Sequence, residues 1–133
     1  MYTIDKTSDA PFDEVVDRTV DALGEEGFGV LSDIDVQATL EEKLDVEFGR
    51  YRILGACKPP LAHEALEEEL RLGALLPCNV VVYETDVGRV GVSAVDPGTL
   101  LSVVDNPALD PLAEAITESL ERALEAAVAA PSA

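Results

Sequence analysis

The run Cys78-Asn79-Val80-Val81-Val82-Tyr83-Glu84 constrains this chain more than any other feature. β-Branched and aromatic residues follow one another without a polar alternation, so both faces of the strand they form are apolar. Such a strand belongs at the centre of a sheet, covered on both sides. It closes a unit from Tyr51 to Glu84 that also holds both cysteines, the only histidine and three of the eight prolines.

The flanking sequence supplies the rest of the sheet. Tyr2 to Lys6 alternates as a first strand. Asp9 is placed to cap a helix that accepts Pro11 in its first turn. In that helix Phe12, Val15, Val16, Val20 and Leu23 recur at helical spacing, and Gly27 ends it. Phe28 to Ile34 reads as a strand with Phe28, Val30, Ser32 and Ile34 on one face. Asp35 then caps a short helix, Val36 to Leu44, with Val36, Leu40 and Leu44 in one stripe. Tyr51 to Cys57 is the next strand, Pro59–Pro60 opens a helix to about Leu70, and Arg71 to Pro77 returns to the apolar strand. Asp86-Val87-Gly88 turns that strand into a hairpin with Arg89 to Val95. Asp96–Pro97 and Asp110–Pro111 each pair a cap with a proline at the first helical position. The second starts a long helix with Leu112, Ile116, Leu120, Ala123, Leu124 and Ala127 inward.

This order suits an α+β fold, an antiparallel sheet of about five strands with helices packed on one face. The hairpin, and the lack of a glycine-rich strand-to-helix turn, count against a doubly wound parallel sheet. No repeat, linker or composition shift divides the chain, so residues 1–133 are expected to form one domain with 131–133 frayed.

Charge narrows the setting. Twenty-seven acids against nine bases give a formal charge of −18, spread along the chain. A dispersed acidic surface poor in lysine fits a halophilic protein, whose self-repulsion concentrated salt screens. Nucleic acid and anionic membrane surfaces are disfavoured as partners because no basic patch is present. The N-terminal MYTIDKTSDAP lacks an apolar h-region, and no apolar run reaches spanning length, so a cytoplasmic location is expected.

There is no phosphate loop, nucleophile elbow, HExxH or CxxC, and the glycines of GEEGFG are in the wrong order for a dinucleotide fingerprint. Candidate chemistry is confined to the Tyr51–Glu84 unit. Cys57 ends a strand just before a helix start, beside Lys58, a setting that favours thiolate. The helix from Pro59 spans ~18 Å, and Arg71 to Pro77 can cover ~23 Å. Cys78 therefore returns beside Cys57 if the two strands are antiparallel neighbours. For Cys78 the simpler reading is a small core hydrophobe. His63, at the edge of the apolar stripe of Leu61, Ala62, Ala65, Leu66 and Leu70, reads as half-buried and bonded to backbone.

The segments IDVQATLEEKL, GACKPPLAHEAL, LLPCNVVVYE and VSAVDP together resemble the family catalogued as domain of unknown function 302. The resemblance runs from about Tyr2 to Ala126, and the dense acidity is similar to that of haloarchaeal members. It implies a TATA-binding-protein-like β-α-β(4)-α arrangement and a homodimer. It implies no activity and carries over no catalytic residue.

Three functions are compatible with these residues. One is a small molecule or soft metal, such as zinc or copper(I), held near Cys57 and Cys78 with His63, Lys58 and Asn79 close by. No cofactor is required by the sequence. Another is a homodimeric interaction domain. The third is thiol redox work with Cys57 attacking and Cys78 resolving. No pair of groups defines a reaction, so the sequence points away from an enzyme.

Overall fold

The computed structural model describes residues 1–129. The expected fraying of 131–133 lies outside them. The elements run β1 (Thr3–Ser8), α1 (Phe12–Glu25), β2 (Gly29–Asp35), α2 (Val36–Leu44), β3 (Tyr51–Cys57), α3 (Pro59–Glu68), β4 (Cys78–Glu84), β5 (Val90–Val95), α4 (Pro97–Ser102) and α5 (Asp110–Val128). A 3-10 segment, Leu70–Leu75, leads into β4.

The sheet order is β1-β5-β4-β3-β2 with every neighbouring pair antiparallel, so the apolar strand β4 sits in the middle. Helices α1 and α5 pack on each other and on one face of the sheet. Phe12, Val15, Val16 and Leu23 of α1 meet Leu120, Ala123, Leu124 and Ala127 of α5 over Leu54, Val80, Val82, Val92 and Ala94. A smaller cluster joins Ala65 and Leu72 to Leu101, Leu109, Leu112 and Ala113 around α3 and α4. Among the described residues no helix is long and apolar enough to cross a membrane.

Several local expectations are corrected. Asp9 does not cap α1; its carboxylate takes Arg89 Nε at 2.8 Å, and Pro11 holds the N-cap position without a side-chain bond. Asp110 likewise lies inside α5 and caps nothing, whereas Asp35 and Asp96 accept from Ala38 and Gly98 N–H as their sequences suggest. Helix α3 stops at Glu68 because Glu69 is extended, which leaves Leu70 84% exposed and off the inner stripe. Glu69 Oε1 accepts from Asn106 Nδ2. Helix α2 buries none of its side chains.

The face assigned to β2 is also wrong. Val30 pairs with Ala56 but Ser32 pairs with Gly55, so Leu31 is an unpaired extra residue. A bulge inverts the alternation beyond it. Phe28 and Val30 therefore face the helices, while Ser32 and Ile34 turn to the opposite side. Ser32 then lies over Gly55, where an added Cβ would sit 2.3 Å from Ser32 Oγ and 2.8 Å from Pro77 Cγ. Alanine normally suits a strand better than glycine, but here it forces this contact apart. Gly55→Ala is expected to lose about 1–3 kcal/mol of stability, read as a lower urea midpoint with an unchanged slope.

Candidate functional site

The expectation that β4 is covered on both sides holds for one side only. Cys78, Val80 and Val82 are buried under the helices, while Asn79, Val81 and Tyr83 point to a face on which no other layer of the described residues lies. One rung of this open face crosses all five strands: Asp5, Ser93, Val81, Ile53 and Ile34. Beside it Tyr51 stacks on Tyr83 with ring centroids 5.8 Å apart, and Phe48 lies 6.0 Å from Tyr51. Tyr83 lies flat on Gly91, where a Cβ would come within 2.4 Å of its ring, and its hydroxyl reaches Ser93 Oγ at 3.3 Å. The ring is thereby fixed in place.

Of these residues Asp5, Tyr51, Asn79, Val81, Tyr83 and Ser93 line a shallow groove of about 490 Å³ with Tyr2, Thr3 and Val95. In a chain with 27 acids, Asp5 is the one carboxylate among its lining residues, and Thr3 Oγ1 bonds it at 3.1 Å. Apolar exposure continues past the edge, through Ile34, Leu44, Val46 and Phe48.

The cysteines lie on adjacent antiparallel strands at the same end of the sheet, as the chain-length argument requires. Their register is one residue out, because Cys78 opposes Ala56, and both cysteines border one small cavity beside α3. Both are free thiols, Cys57 half-buried and Cys78 buried. Burial, with a smaller contribution from nearby Cys57, pushes the Cys78 thiol up to about 11. Cys78 is therefore a protonated core side chain at neutral pH.

His63 is not half-buried. It is 76% exposed, with Nε2 at 2.9 Å from Glu67 Oε1 one turn on, because its place on α3 faces outward once the helix packs through Ala65. Among the described residues no three His, Cys, Asp or Glu side chains are grouped to hold a metal, so Cys57, Cys78 and His63 are not brought together. Asn79 is exposed on the open face, away from Cys78. Lys58 caps α3 by its backbone alone, and its ammonium leaves Cys57 for Ser119 Oγ on α5, 2.8 Å away. Reasoning from the sequence misses Ser119. The signal that could have found it is a hydroxyl in the otherwise apolar inner stripe between Ile116 and Ala123.

Fold and surface together define a two-layer α+β domain whose antiparallel sheet is packed on one side and bare on the other. The chain belongs to the family described as Domain of unknown function DUF302, whose model matches residues 4–127. It is similar to the crystal structure of an uncharacterized conserved DUF302 protein from Bacillus stearothermophilus, at 31% identity and a TM-score of 0.89, over 96% of this chain and 98% of that one. No curated protein matches it.

Proposed function

We propose that this domain is an association module whose bare sheet face docks onto the same face of a second copy. One observation carries the reading: β4 is apolar on both sides, yet only its Val80 and Val82 side is covered within the chain. Val81, Ile53, Tyr51 and Tyr83 supply the aromatic and aliphatic centre that interfaces favour. Charge selects the occupant. Two chains of −18 repel each other everywhere except where they are neutral, and this face is nearly free of carboxylates. Like against like on that surface separates the acidic flanks while burying the tyrosines.

Salt should strengthen the association, since it screens the flanks and leaves the apolar contact intact. This fits the halophilic setting that the acidity suggests. The cysteine-based readings have less support, because Cys78 is buried and protonated and its register does not oppose Cys57.

Val81→Asp tests the proposal, since it places a charge at the centre of the face without entering the helix-covered core. Light scattering after size exclusion should give a dimer for the parent and a monomer for the variant, with the urea midpoint of the monomeric fold little changed. A monomeric parent at ~100 µM in high salt, well above the range of a standard interface, or a dimer that tolerates Val81→Asp, would count against it.

A further inference from the structure

The covered side of the sheet carries a second feature, independent of the bare face. Five arginines, Arg18, Arg50, Arg52, Arg89 and Arg122, each meet a carboxylate. Lys58 reaches inward and meets none among the described residues. Its Nζ is 2.8 Å from Ser119 Oγ and 5.6 Å above the Phe28 ring. Ser119 is only 1% exposed, and Arg122 Nη2 approaches the same oxygen at 3.4 Å while its Nε is held by Glu26. Two cations thus converge on one neutral hydroxyl, and their sum with Glu26 is +1. A half-buried ammonium with no anion is an unbalanced arrangement, because desolvating a cation is costly without one. It is the more notable where acids outnumber bases three to one.

The stem of Lys58 borders a cavity of about 30 Å³, walled by Phe28, Leu61, Leu101 and Ile116. That is room for roughly two water-sized bodies, but the walls are apolar and offer water few partners. An apolar end of that size beside a cationic head describes one class of small molecule.

We propose that Lys58, with Arg122, receives the carboxylate of a short-chain aliphatic acid, whose tail of one or two carbons fills this cavity. The carboxylate accepts from the Lys58 ammonium and from Arg122, in place of the Ser119 hydroxyl that both cations meet now. No bond is made or broken.

Propionate is the probe, titrated into the full chain against chloride at equal ionic strength, so that general screening cancels. Amide shifts should centre on Lys58 and Ser119, and the unfolding midpoint should rise above that in chloride. Lys58→Met keeps the apolar stem and should weaken binding about tenfold or more, the loss of one charged hydrogen bond. Ser119→Ala removes the competing acceptor and should bind at least as tightly, an outcome that a purely structural Lys58–Ser119 link does not produce. Absence of a propionate-specific shift in the parent chain, unchanged affinity in Lys58→Met, loss of affinity in Ser119→Ala, or tighter binding of phosphate than of propionate would each overturn the proposal. The parent titration and the Ser119 variant decide it even if Lys58→Met does not fold.

Discussion

Leu124→Ala is expected to lose about 3 kcal/mol of folding stability, within the range for large-to-small changes in a rigid core. Leu124 is fully buried on α5, in the same cluster as Val15, Leu23 and Val80. That helix is held to the sheet and to α1 by the same stripe, so no neighbour can move in to fill the space without breaking another contact. Leu112, on the same helix but in the satellite cluster, is 9% exposed and should cost less when truncated. Urea unfolding of the two variants measures the difference. Equal losses would mean that the two clusters are not energetically distinct.

Cys78 makes a prediction about alkaline pH. Its thiol is raised from 9.0 to about 11 in the folded chain, chiefly by burial. The unfolded chain therefore releases this proton first as pH rises. The stabilisation is whole below pH 9, declines between 9 and 11 and is gone above the folded value. A rise of that size corresponds to roughly 3 kcal/mol. The comparison that isolates the thiol is with Cys78→Ala. The parent should lose stability more steeply than the variant between pH 9 and 11, and parallel curves would show that Cys78 ionises freely in the fold.

Periodicity revealed most of the architecture. The α1 and α5 stripes and the apolar strand could be placed from residue type because burial on one face leaves a direct trace in the spacing. The antiparallel relation of β3 and β4 was the condition on which the return of Cys78 beside Cys57 depended, and the strand pairing meets it. What escaped has a common cause. The Leu31 bulge adds one residue without changing composition, so the regular alternation of Phe28, Val30, Ser32 and Ile34 looked like a single face when it is two. His63 sits on a helix whose inward direction depends on α4 and α5, which its own neighbours do not encode. Lys58 and Ser119 are separated by 61 residues, and nothing local in either segment points to the other.

Of the cysteine-centred site, proximity along the sheet was legible and side-chain direction was not. A strand end shows where a thiol lies along the chain, but the pairing register decides which surface it joins. The bare face was legible only in part: β4 announced two apolar sides, and the missing cover emerged once α1 and α5 had both been placed on the other one.

The bulge at Leu31 has one more effect. It lies on the outermost strand of the sheet, where Asp33 is tied to Arg52 by a salt bridge and Asp35 already serves α2 as its cap. A border that is kinked and acidic makes a poor template for a foreign strand. Growth of the sheet by edge-to-edge addition is disfavoured on that flank.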